Sequence, residues 1–482
     1  MAWLTDDGLV CRRFHGSQAF DCLEEALTEG RGGQAARRDS AAWLGHVRYA
    51  TDGNDSIDNV HPFRYTDRQA YTDRHADLML CGNFHFADDS CLAGTGQPTR
   101  AIADSVGRAV SAAGGDVAAG LKAALAPRDG GFVLCGLMAD GTLFAVRDAG
   151  AIRPAYWYCS DSCVVVASER QAITHTLQVA DSEVRPLPGG CVLTAVNGKV
   201  TFRQVLEQRT ASHCAFEQIY FSSPDDSAVA AVRRRLGAGL ARDNGIPHDS
   251  LVTYVPRSAR EAALGLAQET GLELKELIVK ERRMRNFIAP SGERDAECSA
   301  AFRLADSTPI DRSLLVVDDS IVRGTTLRYG ILPMLAGLKP RSITVMSSAP
   351  QIRYPDCYGI DLSTFDQLVA FRAAVSVLVR NGRRDVLDRV YQSCCRETGM
   401  ANPVTEIYDE AMRYDLNGEI ARLLTPEGLD VPVTVVFQSV SGLHDALMDG
   451  TGDWNFTGRY PTPGGCRFVR QAYVEWYKRK FG

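Results

Sequence analysis

The sequence predicts a two-domain α/β protein, with α+β character in the first domain and a parallel sheet in the second. Its 482 residues suit two domains. Up to about Val205, short strand-like runs separated by turns prevail, which favours packed antiparallel sheets. After Cys214, helical stretches alternate with short apolar strands, which is typical of a parallel, doubly wound sheet. We therefore expect domains over residues 1–213 and 214–482.

In the first domain, β-rich runs alternate with turn residues, and two helices interrupt them. The helices are expected around Phe20–Leu27 and Ala101–Ala113. The expected strands are GGFVLCGLM, TLFAVRD, CVVVASE and GGCVLTAV.

In the second domain, each apolar run is short enough for a buried strand, and the segments between them carry helical periodicity. Residues from about Thr364 to Leu424 read as a helical insertion before one last strand. The elements in order are helix Asp226–Asp243, strand LVTYV, helix Arg260–Thr270, strands ELIV and LLVVDD, helix Thr326–Ala336, and strands SITVMSSA and VTVVFQSV.

The composition excludes several classes of protein. Hydrophobic residues make up 45% and charged residues 23%, which is ordinary for a globular chain. With 53 basic and 59 acidic residues the formal charge is −6, which argues against a broad nucleic-acid surface. No apolar run approaches the roughly 20 residues of a membrane span. The 14 cysteines form no C-x-x-C pair, so we expect a soluble cytoplasmic protein with reduced thiols.

The stretch LLVVDDSIVRGTTL, Leu314 to Leu327, carries the clearest chemistry. Ligands of open α/β sheets bind at the carboxyl ends of the strands, where Asp318 and Asp319 are expected. The following loop, Ser320–Thr326, opens a helix whose free N–H groups suit a phosphate. The two carboxylates repel a phosphate but suit hydroxyl groups or a hard cation. A ribose 5-phosphate satisfies both halves.

This string resembles the phosphoribosyl-diphosphate (PRPP) motif of type I phosphoribosyltransferases, in the form found in amidophosphoribosyltransferases. Further segments resemble that family in the same order along nearly the whole chain. They are GHVRYATDG (Gly45–Gly53), NVHPF (Asn59–Phe63), VRDAGAIRPAYW (Val146–Trp157), FEQIYFSSPDDS (Phe216–Ser227), SSAPQIRYPDCYGIDLST (Ser347–Thr364) and FTGRYPT (Phe456–Thr462).

The resemblance implies an Ntn-hydrolase-type αββα sandwich, followed by a type I phosphoribosyltransferase domain. It assigns Asp318 and Asp319 to the ribose hydroxyls and, with Ser258, to Mg²⁺. It implies that the 5-phosphate is bound by the loop that follows, which comprises Ser320, Ile321, Val322, Arg323, Gly324, Thr325 and Thr326.

The segments that resemble the diphosphate loop and the flexible lid depart from the family pattern. VPRSA (Val255–Ala259) resembles the family's VPDSG, but Arg257 stands where the family usually has Asp. KERRMRNFI resembles the lid, one residue short and without its glycine. The resemblance implies that Lys280, Arg282 and Arg285 close on the diphosphate.

In the glutamine half, the resemblance gives a pocket without its nucleophile. Arg48 is expected at the glutamine carboxylate and Asp104 at its α-amine. CGN, with Gly82 and Asn83, occupies the place of the family's oxyanion-hole NGN, so Cys81 replaces an amide donor there. Cys81 lacks a base placed by the sequence, and we interpret it as a packed thiol.

The family's N-terminal nucleophilic cysteine has no counterpart here, because the chain resembles the family only from several dozen residues further on. Two explanations stay open: an upstream segment outside this sequence carries the nucleophile, or the chain uses free or partner-supplied ammonia. A 4Fe–4S cluster is not expected, because it needs four thiolates and Gly452 and Asn455 stand at two cluster positions.

The leading prediction is an amidophosphoribosyltransferase, in which ammonia attacks C1 of PRPP to give 5-phosphoribosylamine and diphosphate. Its partners are PRPP and ammonia or glutamine, with Mg²⁺ as cofactor and a homo-oligomer as the usual assembly. Two alternatives are amination of another glycosyl diphosphate in secondary metabolism, and a non-catalytic regulator that binds PRPP.

Overall fold

The computed structural model describes the chain except residues 6–7, 15–41, 48–56, 67–77, 88–97, 281–300, 361 and 449. The described chain divides into two compact units, Met1–His213 and Cys214–Gly482.

The first unit contains twelve described strands. They are β1 Ala2–Thr5, β2 Gly8–Cys11, β3 Trp43–Leu44, β4 Phe63–Tyr65, β5 Leu78–Phe86, β6 Gly130–Met138, β7 Leu143–Arg147, β8 Tyr156–Cys159, β9 Val164–Ala167, β10 Arg185–Pro186, β11 Cys191–Val196 and β12 Lys199–Gln204. Six of them form an antiparallel sheet in the order β12-β11-β7-β6-β5-β4. The others form two three-stranded antiparallel sheets, in the orders β2-β1-β3 and β10-β8-β9.

Three helices complete the first unit: α1 Pro98–Ala112, α2 Val117–Leu125 and α3 Arg170–Leu177. Short 3₁₀ turns lie at Ile57–Asn59 and Asp181–Glu183. Helix α1 agrees with the expected helix over Ala101–Ala113, whereas the expected helix around Phe20–Leu27 lies outside the described residues.

The two faces of the six-stranded sheet bury different partners. Because side chains alternate along a strand, Leu78 and Leu80 of β5 pack with the apolar faces of α1 and α2. Met79 and Cys81 point to the other face and pack with Leu44 and the rest of the β2-β1-β3 sheet. The unit is therefore layered as helices, large sheet and small sheet.

The second unit is built on a parallel sheet in the order β14-β17-β18-β19. Its strands are β14 Leu251–Tyr254, β17 Ser313–Asp318, β18 Ser342–Ser347 and β19 Val433–Phe437. This confirms the predicted parallel α/β character; β14, β18 and β19 lie within predicted runs, and β17 begins one residue before its predicted run. The unit's other short strands are β13 His213–Cys214, which begins one residue before the division, β15 Ile278–Lys280, β16 Phe302–Leu304 and β20 Thr451–Gly452.

One predicted strand forms but does not belong to the parallel sheet, so its predicted place in that sheet is wrong. The ELIV run forms β15, which pairs antiparallel with β16 in a separate two-stranded ribbon. The apolar run gives a strand, but its pairing partner is decided by tertiary contacts that a run of this length does not encode.

The helices of the second unit follow the predicted order up to Leu424, and three helices after β19 were not predicted. They are α4 Ser227–Asp243, α5 Arg260–Thr270, α6 Leu332–Ala336, α7 Val369–Arg380, α8 Arg384–Arg396, α9 Thr405–Ala411, α10 Leu416–Leu424, α11 Val440–Ala446, α12 Trp454–Thr457 and α13 Pro463–Phe481. A 3₁₀ turn lies at Phe365–Gln367, and π-helical turns lie at Glu217–Phe221 and Thr326–Ile331. The helix expected over Thr326–Ala336 is thus a π-helical turn that continues into α6.

Helices α4 and α5 cover one face of the parallel sheet and pack tightly together. Asp226 caps α4 by accepting from the N–H groups of Ala228 and Val229. A Cβ on Gly237 would lie 1.8 Å from the carbonyl oxygen of Ala262, so glycine is required at this crossing. Leu240, Leu266 and Leu315 meet in the resulting core.

Candidate active site

The acidic pair lies at the carboxyl end of β17, the second strand of the parallel sheet. The strand is buried from Leu314 onward, and only 8% of Asp318 and 7% of Asp319 is exposed. Ser348 binds the backbone of both acids, since its N–H donates to Asp318 O at 2.8 Å and its hydroxyl donates to Asp319 O at 3.2 Å. The residue that follows β18 therefore fixes the backbone of both acids.

Two hydroxyl groups hold the carboxylate of Asp319. Ser258 Oγ donates to Oδ1 at 2.6 Å, and Ser320 Oγ donates to Oδ2 at 2.9 Å. Ser258 belongs to the loop after β14, and the bond from Val255 N to Val317 O, at 2.9 Å, keeps this loop beside β17. The structure therefore brings the predicted residues Ser258, Asp318, Asp319 and Ser320 together.

The electrostatics of the pair favour an added cation or hydroxyl donors. Burial raises the pKa of Asp318 well above its usual range, and the neighbouring Asp319 raises it further. Burial also raises the pKa of Asp319, against the opposing effects of Ser258, Ser320 and Arg233. The positive charge near the two buried carboxylates is therefore too small to offset the cost of ionising both of them.

Arg233 is a neighbour of this pair that the sequence analysis missed. Its side chain is 1% exposed, and it donates to the carbonyls of Gln218 and Ser222, both at 2.9 Å. Its Nη1 is buried without a hydrogen-bond partner among the residues that the structure describes. The run of three arginines on α4 gave no indication of which one faces inward.

The loop that follows the acids supplies the predicted phosphate-binding residues. Ile321 is buried at 2% exposure and anchors the loop, whereas the residues from Val322 to Thr326 are half-buried. Gly324 has a φ of +79°, a conformation that favours glycine. The loop therefore presents backbone N–H groups and hydroxyls beside the carboxylates.

The residues predicted to bind the diphosphate are only partly described. Arg257 is exposed, and the peptide bond between Pro256 and Arg257 is cis. Lys280 is exposed at the end of β15, while Arg282 and Arg285 lie outside the described residues.

In the first unit, the CGN run lies within β5, opposite β6. The N–H of Gly82 points at Nδ1 of His61 at 3.4 Å, and the thiol of Cys81 donates to the carbonyl of Gly45 at 3.8 Å. The ring of His61 stacks on His46 with their centroids 4.1 Å apart. These histidines are neighbours of Cys81 that sequence reasoning missed, because no local pattern links positions 46, 61 and 81.

The other predicted glutamine-pocket residues are placed less completely. Asn83 lies in β5 and is exposed, while Asp104 is half-buried in α1. Arg48 lies outside the described residues. Burial raises the pKa of Cys81 well above its usual range, and the nearby Cys135 raises it further, so this thiol is not an activated nucleophile.

The described part of the chain gives two further findings. No cluster of three or more His, Cys, Asp or Glu side chains is arranged there to hold a metal ion. Nor does that part contain a helix with the length and apolar character needed to cross a bilayer.

A parallel α/β sheet with carboxylates and a glycine-containing loop at its carboxyl edge is the arrangement of a domain that binds a sugar phosphate. No family model matches the sequence. Amidophosphoribosyltransferase of Staphylococcus aureus is 30% identical over 343 residues, which cover 68% of this chain and 67% of that protein. The chain belongs to the amidophosphoribosyltransferase family.

Other comparisons agree with this result. Amidophosphoribosyltransferase of Pyrococcus horikoshii is 34% identical over 241 residues, which cover 48% of this chain and 51% of that protein. The solved glutamine PRPP amidotransferase of B. subtilis in complex with ADP and GMP has a similar fold, with a TM-score of 0.64, 24% identity and coverage of 86% and 82%. A structure described as the allosteric regulatory enzyme of purine biosynthesis also gives a TM-score of 0.64, with 26% identity and coverage of 86% and 81%.

Proposed function

We propose that the chain is an amidophosphoribosyltransferase that acts on PRPP, the first step of de novo purine synthesis. Ammonia attacks C1 of the ribose, the bond from C1 to the diphosphate oxygen breaks, and 5-phosphoribosylamine, diphosphate and a proton result. One observation carries the proposal: a buried acidic pair, whose Asp319 accepts a hydrogen bond from Ser258 in the loop after β14, adjoins a glycine-containing loop. Family membership favours this reaction over the two alternatives.

Within this proposal, Asp318 and Asp319 bind the ribose hydroxyls and, with Ser258, hold Mg²⁺. The donor set fits this ion, because Mg²⁺ takes one or two carboxylates and completes its shell with water and substrate phosphates. The bound ion supplies positive charge to the diphosphate as it leaves. The raised pKa of both buried carboxyls is consistent with a cation among the ligands of the pair.

The remaining residues position the ends of the substrate. The loop Ser320–Thr326 binds the 5-phosphate through its N–H groups and hydroxyls. Arg257, Lys280, Arg282 and Arg285 bind the diphosphate and exclude water. Catalysis is thereby positioning and charge stabilisation, as expected for transfer through an oxocarbenium-like state.

For the first unit we propose an Ntn-hydrolase-type sandwich whose glutamine pocket comprises Arg48, Gly82, Asn83 and Asp104. None of these four residues is a nucleophile, so their proposed role is to bind and orient glutamine. The assignment of Gly82 and Asn83 rests on the place of the CGN run in β5, which corresponds to the family's oxyanion hole. Cys81 replaces the family's amide donor there and weakens this part of the assignment, and the N–H of Gly82 is directed at Nδ1 of His61. We further propose a type I, doubly wound domain for residues 214–482, and a homo-oligomeric assembly.

The test is release of diphosphate from PRPP with Mg²⁺ and either ammonium chloride or glutamine. We expect turnover with ammonium that rises with pH as NH₃ forms, and the glutamine reaction shows which of the two nitrogen sources the protein uses. The double variant Asp318→Asn/Asp319→Asn is the control and should be inactive. Absence of turnover with ammonium, or full activity in the double variant, contradicts the proposal. Binding of PRPP without turnover favours the regulator, and turnover of another glycosyl diphosphate favours the secondary-metabolism enzyme.

A further inference from the structure

The helical insertion contacts the phosphate-binding loop directly. The N–H of Val369, at the start of α7, donates to the carbonyl of Val322 at 2.8 Å. Arg372 Nη2, one turn further along α7, donates to the carbonyl of Arg323 at 2.6 Å. At Gly324, an added Cβ would lie 2.1 Å from Cδ2 of Leu424, which belongs to α10. Three consecutive loop residues are therefore fixed by two helices of the insertion.

These contacts decide where the N–H groups of the loop point. The peptide bonds of the loop are trans, so each carbonyl points opposite to the N–H of the same peptide. Since the carbonyls of Val322 and Arg323 point at two donors on α7, the N–H groups of Arg323 and Gly324 point away from those donors. Successive N–H groups directed to one side, next to a residue of positive φ, form a concavity for an anion.

A second arginine connects the same two segments, but here the donor follows the loop and the acceptors lie in the insertion. Arg328, in the π-helical turn after the loop, donates through Nη1 to the carbonyls of Leu423 at 2.5 Å and Thr425 at 3.1 Å. These carbonyls end α10, where a guanidinium satisfies unpaired acceptors and meets the negative end of the helix dipole. The loop segment and the insertion thus hold each other through one arginine from each side.

We propose that Arg372 and Arg328 are positioning residues that fix the peptide groups of the Ser320–Thr326 loop in the orientation that binds the 5-phosphate of PRPP. This inference rests on the proposed function, and it gives a role to the insertion over residues 364–424. Neither arginine touches the ligand, since each acts through backbone carbonyls.

The experiment compares Arg372→Ala and Arg372→Lys with a matched control, Arg380→Ala. Arg380 lies on the same helix and pairs with Glu419 at 2.9 Å, at 57% side-chain exposure. Because its guanidinium is bound by Glu419 of α10, this variant reports damage to the helix pair. KM and kcat are measured for PRPP, and calorimetry gives the affinities for ribose 5-phosphate and for inorganic diphosphate.

For Arg372→Ala we expect KM for PRPP and Kd for ribose 5-phosphate to rise about tenfold, since one hydrogen bond from a charged donor is lost. The value of kcat and the affinity for inorganic diphosphate should stay unchanged, because the 5-phosphate takes no part in bond changes. Arg372→Lys should recover part of the affinity, and Arg380→Ala should keep wild-type KM.

Unchanged ribose 5-phosphate affinity in Arg372→Ala overturns the inference. So does an equal loss of affinity for ribose 5-phosphate and diphosphate, which indicates general damage. If the wild-type chain itself neither binds ribose 5-phosphate nor turns over PRPP, the proposed function fails instead. Should Arg372→Ala not fold, Arg328→Gln, measured in the same way, gives the same discrimination.

Discussion

Ser258 Oγ donates a 2.6 Å hydrogen bond to Oδ1 of Asp319, although 61 residues separate them in the chain. The bond joins the loops that follow two adjacent parallel strands, β14 and β17. Such strands end at the same edge of a sheet, so their loops meet there and build one site from distant segments. The hydroxyl of Ser258 shows where a donor or a cation approaches this carboxylate.

The acidic pair should be costly for stability and required for activity. Asp318→Asn should lower turnover at least about 10²-fold, because a preorganised charge at the reacting centre is lost. The same change should preserve or raise the melting temperature of the ligand-free protein, since it removes one of two buried like charges. Ammonium-dependent diphosphate release and thermal unfolding measure the two effects, and Asp311→Asn, at an exposed position, is the control.

The stability difference should also depend on pH. A carboxyl whose folded pKa is raised contributes stability below its unfolded pKa, and this contribution is lost as pH rises through the folded pKa. The melting temperature of Asp318→Asn relative to wild type should therefore increase with pH from about 4 upward. A difference that is flat or falls with pH would show that the pair is not strained by burial.

Gly324→Ala should damage the phosphate loop in two ways. The positive φ alone costs an alanine about 1–2 kcal/mol, and the added methyl group collides with Leu424. We expect lower stability and a higher KM for PRPP. Gly271→Ala is the control, because its φ is +69° but no atom lies within 4 Å of an added Cβ.

A second change separates strain from collision at Gly324. Adding Leu424→Ala to Gly324→Ala opens space for the methyl group, so part of the lost PRPP affinity should return. An equal KM in Gly324→Ala and wild type, measured by initial rates, would show that the loop does not need this conformation.

Glu419 should make the helix pair α7–α10 sensitive to acid. Its carboxylate accepts from Arg422, Ser376 and Arg380, and these hydrogen bonds lower its pKa to about 2. A lowered folded pKa gives stability above the unfolded value of about 4.5, which is lost as pH falls toward 2. Glu419→Gln should lower stability by about 1–2 kcal/mol at pH 7. The loss should shrink in acid, as denaturant melts at pH 7 and pH 3 will show.

Cys81 should resist alkylation in the folded protein. It is 3% exposed, and burial together with Cys135 raises its pKa, so thiolate is scarce at pH 8. Peptide mass spectrometry after brief iodoacetamide treatment should show modification at the exposed Cys159 and Cys395 and none at Cys81. Rapid labelling of Cys81 would contradict its interpretation as a packed thiol.

The local sequence pattern was sufficient to predict the structure where one continuous segment carries both the strand and the chemical groups of the site. LLVVDDSIVRGTTL contains a buried strand, its terminal acids and the loop in one run, so the sequence predicted the strand and the position of Asp318 and Asp319 at its carboxyl end. Helices with a clear apolar face, such as α5, were predicted with their bounds. For a short apolar run such as β15, the pattern predicted a strand but not the strand with which it pairs.

By itself, then, the sequence determined the family, the parallel sheet and the segments at its carboxyl edge, because periodicity and a contiguous motif are local properties of the chain. Only the tertiary structure decided that Arg233 faces inward, that His61 lies against Gly82, and that Arg372 holds a carbonyl 49 residues away. Contacts between segments far apart in the chain depend on how whole helices and strands pack. No regular spacing of residues in the sequence encodes that packing.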